Sequence, residues 1–306
     1  PDVKEYGTIP SHFVFTAKWT SDVPPEFIKY KARLVASGNF ERESGIPFEN
    51  YPPAAGATTN RFFDAYCTLM GFTVRSTDMT QAFLNAEAQR PIFVSLPKEV
   101  TPPGRCMRLL KMLYGLRASP KCWMETLTNA LVELNFTVHP EDPSLLIRHD
   151  QNSTGQDSIV MACAYVDDIK WGTNDPKLLS EIIEAIRGKF DLTDEDSIST
   201  YLGLKYEQTV DEEGKKVMTV NQTAYIQALM KRFHLEEVTT KKYTPLPASN
   251  GRSLEEIMGV ITNADEEWAA QQNYPCIVGS LIHAMVHTRP DIAYAESLLS
   301  RAMSNP

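Results

Sequence analysis

The chain has 306 residues, of which 42% are hydrophobic, and its 39 acidic side chains outnumber 30 basic ones to give a net charge of −9. This length and apolar content allow a large core, in one domain or in several subdomains. No stretch approaches the roughly 18 apolar residues of a membrane span, and the N-terminus lacks a secretion signal. We therefore expect an intracellular protein with no membrane association. The five cysteines contain no C-x-x-C pair and are interpreted as reduced core residues.

The first informative segment is the strand-like alternation of IKYKARLV, residues 28–35. Lys31 and Arg33 are two residues apart and so share one face of a strand, while the alternate positions are apolar. Two cations on one face suit the phosphate groups of a nucleotide. A solvated strand edge is the alternative interpretation.

Basic side chains are concentrated in two segments, although the negative net charge argues against a nucleic-acid binder. Residues 27–42 and 98–121 carry mainly Lys and Arg among their charges, and both are candidate surfaces for phosphate groups. Residues 191–213 are acidic apart from Lys205, and we interpret them as a solvated outer face.

Two segments bring carboxylates to the end of a predicted strand. FTVRSTD alternates apolar and polar residues and ends on Asp78. In SIVMACAYVDDIKWGT, apolar runs place Asp167 and Asp168 at the tip of a predicted buried β-hairpin. Adjacent carboxylates lose solvation on burial, and a bound divalent cation would compensate for this cost, so the pair suggests a cation site. An ordinary Asp-Asp turn is the alternative. Two Mg²⁺ ions held by these three residues would suit a polymerase reaction.

Two helices are predicted, one before this hairpin and one after it. Each begins with an N-cap residue followed by proline, at Ser119-Pro120 and at Asp175-Pro176. Their apolar stripes are Trp123, Leu127, Ala130, Leu131 and Leu134 in the first, and Leu179, Ile182, Ile183, Ile186 and Phe190 in the second. Antiparallel strands backed by two helices on one face give α+β as the predicted fold class.

A further hairpin and helix follow. Residues 211–214 are predicted to form a turn before a strand at Lys215–Val220, and Asn221 is predicted to open an amphipathic helix. Residues 244–253 are rich in Pro, Ser, Gly and Asn and are the best linker candidate in the chain.

The remaining residues, 254–306, are predicted to be helical, with a break at Arg289-Pro290. His283 and His287 lie four residues apart on one helix, a spacing that suits a metal pair. Because no third ligand is nearby in the sequence, we interpret them as packing or surface residues.

Six blocks of the sequence form an ordered set. They are YKARLVASG (30–38), TDMTQAFLNAE (77–87), LYGLRASPKCW (113–123), AYVDDI (164–169), YLGLKYE (201–207) and VGSLIHAMVHTRPDI (278–292). In order and spacing the chain resembles the reverse transcriptase of Ty1/copia-type retrotransposons along nearly its whole length. The resemblance implies an RNA-directed DNA polymerase with the right-hand polymerase fold, an α+β fold whose antiparallel palm sheet is backed by helices.

The resemblance also implies roles for individual residues. The two Mg²⁺ ions, with Mn²⁺ as a substitute, would be held by Asp78, Asp167 and Asp168. The incoming nucleotide would be bound by Lys31, Arg33, Phe83, Tyr114 and Gly115. Among these, Arg33 would be the main phosphate contact, and the Phe83 ring would exclude a 2′-hydroxyl unless Phe83 is simply a core residue. The primer would be positioned by Tyr165, Leu202, Gly203 and Leu204.

The same resemblance implies subdomains and partners. Fingers would comprise residues 1–55 and 91–118, the palm 56–90 and 119–207, the thumb 208–247, and a linker with the start of a connection region 248–306. The partners would be an RNA or DNA template–primer and deoxynucleoside triphosphates. A homodimer, or a ribonuclease H domain in a longer parent polyprotein, would also fit. The expected location is the cytoplasm, with a virus-like particle or the nucleus as alternatives.

The chain departs from the family in two ways. Lys170 and Trp171 follow Ile169 where the family usually has aliphatic residues, and such a lysine would reduce local anion density, contact the primer phosphate or mark decay. In the family a ribonuclease H domain follows this point within a polyprotein, and we expect the residues up to RAMSNP to be too few to hold one. Because of the acidic net charge and Lys170, a domesticated, non-catalytic remnant that binds nucleic acid or protein is the main alternative, and an RNA polymerase is disfavoured by Phe83.

Overall fold

The computed structural model describes residues 7–19, 26–41, 54–97, 100, 105–151, 155–195, 197–235, 244–246, 273–301 and 303. The chain divides into two compact units, Pro1–Ile198 and Ser199–Pro306. Among the described residues, no helix has both the length and the apolar character needed to cross a membrane.

The first unit combines strands and helices in a mixed α+β arrangement. Its strands are β1 (Ile9–Trp19), β2 (Phe27–Ala36), β3 (Thr73–Met79), β4 (Phe93–Ser95), β5 (Met107–Arg108), β6 (Thr137–Val138), β7 (Leu145–Gln151), β8 (Asp157–Tyr165), β9 (Asp168–Thr173) and β10 (Leu192–Glu195). Its helices are α1 (Ala57–Leu69), α2 (Ser119–Val132) and α3 (Pro176–Arg187), with 3-10 helices at Gly38–Phe40 and Ala82–Asn85.

A six-stranded antiparallel sheet forms the centre of this unit, in the order β10-β3-β9-β8-β7-β6. Side chains on successive residues of a strand point to opposite faces, so each face can bury its own set. One face carries Val160, Ala162 and Trp171, which share an apolar core with residues of α2 and α3. Helix α1 lies on the opposite face, where Phe63 and Cys67 approach Gly172. The predicted hairpin backed by two helices is confirmed, and α1 adds a third layer.

The two predicted helix starts have different caps. At α3, Asp175 is the N-cap as predicted, and its carboxylate accepts a hydrogen bond from the Leu178 amide at 3.1 Å. At α2, Ser119 is already helical, and its buried hydroxyl donates to the Leu113 carbonyl at 2.6 Å. The prediction of a Ser119 N-cap is therefore wrong, because this hydroxyl fastens the preceding loop.

A four-stranded sheet, in the order β2-β1-β4-β5, forms the second layer of strands. Strands β1 and β2 make a long antiparallel hairpin, and β1 also pairs with β4 in parallel. The cationic face predicted for β2 is present, with Arg33 opposite Val14 and Lys31 opposite Thr16. The alternate, apolar face is largely exposed, and Tyr30 is 84% exposed.

The second unit contains a small sheet and three α-helices among its described residues. The elements are β11 (Thr200–Tyr201), β12 (Leu204–Val210), β13 (Lys216–Asn221), α4 (Thr223–Arg232), α5 (Tyr274–His287) and α6 (Ala293–Ser300), with a 3-10 helix at Pro290–Ile292. The break predicted at Arg289-Pro290 is confirmed.

The predicted hairpin and helix are present with shifted boundaries. Strand β13 begins at Lys216, and α4 begins at Thr223 rather than Asn221. The Asn221 side chain instead accepts a hydrogen bond from the Thr223 amide at 3.2 Å. Most of the predicted linker at 244–253, and residues 254–272, lie outside the described residues.

The two histidines of α5 are packing residues. The His283 ring lies 4.6 Å from the rings of both His287 and Tyr225. Its Nδ1 atom is 3.1 Å from the side-chain nitrogen of Gln222. Of the two interpretations of this pair, packing or surface residues, these contacts favour packing.

All five cysteines are free thiols, as predicted, but only some belong to the core. Cys67, Cys122 and Cys163 are buried, whereas Cys106 and Cys276 are half-buried. The interpretation of all five as core residues is therefore wrong for these last two, which are only partly covered: Cys106 lies just before β5, and Cys276 is in the first turn of α5.

Candidate active site

The three predicted metal ligands lie at the same end of the central strands. In the antiparallel register of β3 and β9, Asp78 is directly opposite Asp168. Asp167 lies in the loop between β8 and β9, and its carbonyl accepts a hydrogen bond from the Met79 amide at 2.7 Å. Strand pairing thus brings together residues that are far apart in sequence. Asp78 is exposed, and Asp167 and Asp168 are half-buried.

The loop that carries Asp167 is a tight two-residue turn with an unusual backbone. Tyr165 ends β8 and Asp168 begins β9, and the two residues are paired. Val166 has φ of 55°, a conformation that is rare for a β-branched side chain. Two-residue hairpin loops favour positive φ because it matches the twist of the strands. The Trp123 indole donates a hydrogen bond to the Val166 carbonyl at 2.6 Å.

The electrostatics of this end of the sheet reflect its concentrated negative charge. Burial first, and then the neighbouring carboxylates of Asp167 and Asp78, together raise the pKa of Asp168 to about 6. The pKa of the Tyr114 hydroxyl is also raised, mainly by burial and also by Asp167 and Asp78, while Arg33 opposes the shift. Tyr114 and Arg33 therefore belong to the same electrostatic environment as the carboxylates.

Two aromatic rings and a guanidinium lie beside the carboxylates. The rings of Phe83 and Tyr114 are 4.9 Å apart in an edge-to-face arrangement, which is a favourable geometry. The Arg33 guanidinium carbon lies 6.0 Å from the centre of the Tyr114 ring. Phe83 is half-buried and packs on the edge of the core. The structure thus brings Arg33, Phe83 and Tyr114 together, and Lys31 lies further out on the same face of β2.

Gly115 joins the loop after Tyr114 to strand β2. Its φ is 88°, and a Cβ atom at this position would lie 2.0 Å from the Ala36 carbonyl oxygen. The Ala36 amide donates to the Tyr114 carbonyl at 2.7 Å, and Gly38 needs the same close approach from the other side. The close backbone approach observed at Gly115 is therefore to β2, and an approach to a nucleotide stays a prediction.

The predicted primer-positioning residues fall into both units. Tyr165 lies at the end of β8, next to the carboxylates, and is 38% exposed. Leu202 and Gly203 form the two-residue turn between β11 and β12, with φ of 50° and 77°, and Leu204 begins β12. These last three residues belong to the second unit, so their role stays a prediction.

The expectation that Lys170 acts near the metals is wrong. Lys170 is fully buried, and its Nζ donates to the Asp64 carboxylate of α1 at 2.6 Å. The same ammonium lies 5.1 Å from the centre of the Phe63 ring. Strand alternation directs this side chain into the interface with α1, where Asp64 neutralises it. Its burial against α1 rules out a contact with the primer phosphate, and the alternative that this lysine marks decay stays a prediction.

The donor set at the carboxylate end fits magnesium in its chemistry. Mg²⁺ prefers oxygen ligands and is commonly held by one or two carboxylates together with phosphate oxygens and water. The pKa of Asp168 is raised by burial and then by the carboxylates of Asp167 and Asp78, so a bound cation would favour its ionised form. Among the described residues, no three His, Cys, Asp or Glu side chains are already drawn together at metal-binding distances. The three aspartates therefore share one end of the sheet, but among the described residues no closed set of metal-binding side chains is formed there.

Comparison with known proteins agrees with this architecture. The family described as reverse transcriptase (RNA-dependent DNA polymerase) matches residues 2–248. A retrovirus-related Pol polyprotein from transposon RE1 of Arabidopsis thaliana is 30% identical over 96% of the chain, and one from transposon TNT 1-94 of Nicotiana tabacum is 27% identical over 96%. A putative transposon Ty5-1 protein of Saccharomyces cerevisiae is 28% identical over 75% of the chain and 70% of its own length.

The antiparallel sheet, the carboxylates at its end and the family match define a protein of the polymerase fold. More specifically, the chain belongs to the reverse transcriptase family, and its relatives are Pol polyproteins of Ty1/copia-type transposons. The chain spans 19% of the Arabidopsis polyprotein and 22% of the Nicotiana polyprotein.

Proposed function

We propose that the chain is an RNA-directed DNA polymerase that extends a primer on an RNA or DNA template. The observation that carries the proposal is the direct pairing of Asp78 with Asp168, with Asp167 in the adjoining turn. These three residues would hold two Mg²⁺ ions, or Mn²⁺ in their place. Bound metal would polarise the attacking 3′-hydroxyl and neutralise charge on the leaving pyrophosphate.

The protein's own groups would bind and orient the nucleotide. Arg33, with Lys31 further along the same strand face, would donate charge-assisted hydrogen bonds to the triphosphate. Phe83 would lie beneath the sugar and exclude a 2′-hydroxyl, and its packing against Tyr114 supports this role by fixing both rings. Tyr114 and Gly115 would line the sugar and base pocket. Asp168, with a pKa near 6, would be ionised at neutral pH and available as a ligand.

The proposed subdomains follow from the same function. Strands β1 and β2 would belong to the fingers, the six-stranded sheet with its helices to the palm, and the elements after residue 207 to the thumb and connection. The turn at Leu202–Leu204, together with Tyr165, would position the primer terminus through backbone and apolar contacts.

The partners and the location are part of the proposal. The relatives are Pol polyproteins, so this chain would work within or beside such a polyprotein, together with a ribonuclease H domain or a second copy. Its substrates would be a template–primer duplex and deoxynucleoside triphosphates. The reaction would take place inside the cell, in the cytoplasm, a virus-like particle or the nucleus.

A primer-extension assay on an RNA template with Mg²⁺ tests the function. Asp78→Asn and Asp167→Asn should each abolish nucleotide addition, because one ligand charge is lost, and should leave the fold intact because carboxylate repulsion is relieved. Asp157→Asn is a matched control, since Asp157 is an exposed carboxylate at the opposite end of β8. It should extend the primer at the wild-type rate.

Three results would contradict the proposal in different ways. Extension by either ligand variant at near the wild-type rate would show that the carboxylates do not bind the catalytic metals. No extension by the wild-type protein, with retained duplex binding, would favour the non-catalytic remnant. A preference for ribonucleotides would indicate an RNA polymerase.

A further inference from the structure

The turn that carries Asp167 is held from helix α2 by a buried tryptophan. Trp123 is 0% exposed, and its indole Nε1 donates to the Val166 carbonyl at 2.6 Å. Its ring packs edge-to-face against Phe190, with the ring centres 5.3 Å apart. A buried indole N–H needs an acceptor, and here the acceptor is the backbone of the loop between the strands that bear the carboxylates.

This loop has a backbone that requires support. Val166 is β-branched and has φ of 55°, a conformation that persists only where surrounding contacts fix it. The next carbonyl, that of Asp167, accepts from the Met79 amide at 2.7 Å. Two consecutive carbonyl oxygens of the turn are therefore anchored, one to α2 and one to the end of β3.

We propose that Trp123 is a positioning residue for nucleotide addition. Its N–H holds the Val166 carbonyl, and this fixes the turn in the conformation that aligns the Asp167 carboxylate with Asp78 and Asp168. Trp123 itself lies beneath the turn and acts through the backbone. The inference rests on the proposed function of these carboxylates, and it concerns their placement rather than their identity.

The test compares two tryptophan-to-phenylalanine variants. Trp123→Phe keeps an aromatic ring in the core but removes the N–H. Trp171→Phe is the control, because Trp171 is also 0% exposed and its Nε1 donates to the Thr77 hydroxyl of β3 at 2.9 Å rather than to the turn. Each variant loses one buried indole hydrogen bond, so both should lower the melting temperature by a similar amount.

The two variants should differ in catalysis. Trp123→Phe should lower kcat for single-nucleotide addition by about 10- to 100-fold and leave KM for the nucleotide unchanged within about twofold. A displacement of the Asp167 carboxylate by a fraction of an ångström raises the energy of the transition state more than that of the bound nucleotide. Trp171→Phe should retain kcat within about threefold. A Trp123→Phe enzyme with kcat like that of the control, or two variants that lose activity in parallel with stability, would overturn the proposal.

A second measurement does not depend on activity. Hydrogen exchange at the Met79 amide reports whether the turn stays docked on β3, because that amide donates to the Asp167 carbonyl. In metal-free protein, exchange should be at least about tenfold faster in Trp123→Phe than in Trp171→Phe. Equal exchange in the two variants would overturn the anchoring role. An inactive wild-type protein would instead refute the proposed polymerase function, and the exchange result would still decide the anchoring.

If Phe leaves too large a gap at position 123 for the variant to fold, benzothienylalanine at that position allows the same comparison. This residue keeps the bicyclic ring and replaces only the N–H with sulfur. It should reproduce the loss of kcat and the faster Met79 exchange. Wild-type values of both would show that the hydrogen bond has no positioning role.

Discussion

Asp168 is the residue at which the electrostatic cost of the site is concentrated. It is half-buried, and Asp167 and Asp78 lie beside it without a neutralising side chain among the groups that shift its pKa. Burial and the two carboxylates hold its pKa at about 6 in the folded protein, above the usual value of 3.8. The folded protein therefore retains a proton that the unfolded chain releases at lower pH.

This shift has a defined sign for stability. The contribution of Asp168 to the free energy of unfolding is present below about pH 4 and is lost as pH rises through about 6, because the folded state binds the additional proton. Asp168→Asn should therefore stabilise the metal-free protein at about pH 7 by roughly 1–2 kcal/mol, a value discounted for solvent screening, and by much less at about pH 4. Urea unfolding in the presence of a chelator measures both values. An equal gain at the two pH values would contradict the assigned cause.

At the level of residues, the sequence predicted the three aspartates better than it predicted the residues that hold them in place. Asp78, Asp167 and Asp168 were identifiable because each follows a strand pattern and carries a charge that is unusual at such a position. Trp123 was assigned only to the core, since its hydrogen bond depends on how α2 sits against the β8–β9 turn. The location expected for Lys170 was wrong because its partner, Asp64, lies on a helix that is distant in sequence.

At the level of elements, the attachment of β2 to the loop after Tyr114 determines where Arg33 stands. Gly115 and Gly38 allow the two backbones to touch, and the hydrogen bond from Ala36 to Tyr114 fastens them. A side chain at either glycine would separate strand and loop. The geometry of the proposed nucleotide site thus depends on a contact made without side chains.

Gly115→Ala should therefore lower the free energy of unfolding far more than a Gly→Ala change at a site where positive φ is the only constraint. Gly71→Ala is the matched control, because Gly71 has φ of 65° in the same unit but a Cβ there meets nothing within 4 Å. The control should lower the free energy of unfolding by about 1–2 kcal/mol, the cost of the backbone conformation. Gly115→Ala should lower it by at least about 3 kcal/mol, since strand and loop must also separate. Chemical denaturation of both variants makes the comparison, and equal losses would show that the contact is easily relieved.

The elements themselves were largely predictable, but their arrangement was not. Hydrophobic alternation and the Ser-Pro and Asp-Pro signals located β8, β9, α2 and α3 because these signals are local. The parallel pairing of β1 with β4, and the position of β10 beside β3, join segments that carry no mutual signal in the sequence. The role of the Ser119 hydroxyl was also missed, because the Ser-Pro pair predicts a helix start and does not show that this hydroxyl donates back to the Leu113 carbonyl in the preceding loop.

At the scale of the whole molecule, we expect the distribution of charge over the surface to affect the binding of nucleic acid more than the net charge does. The net charge is −9, yet Arg105, Arg108 and Lys111 are all exposed in one segment near β5. The hairpin of β12 and β13 also exposes Lys215 and Lys216, but there they follow Asp211, Glu212 and Glu213 in the turn. A template–primer duplex should be attracted to the first group and not to the second.

The salt dependence of duplex binding tests this distribution. Each phosphate contact releases condensed counterions, so the slope of log K against log salt measures how many cations touch the nucleic acid. If Arg105 and Arg108 face the duplex, Arg105→Ser with Arg108→Ser should weaken binding and reduce the magnitude of the slope by about 1–2. Lys215→Ser with Lys216→Ser removes the same charge from another surface and should leave the slope unchanged. Filter binding of an RNA–DNA duplex between about 50 and 200 mM salt gives both slopes. Equal changes in the two double variants would mean that net charge alone governs binding, and that the surface near β5 does not contact the duplex.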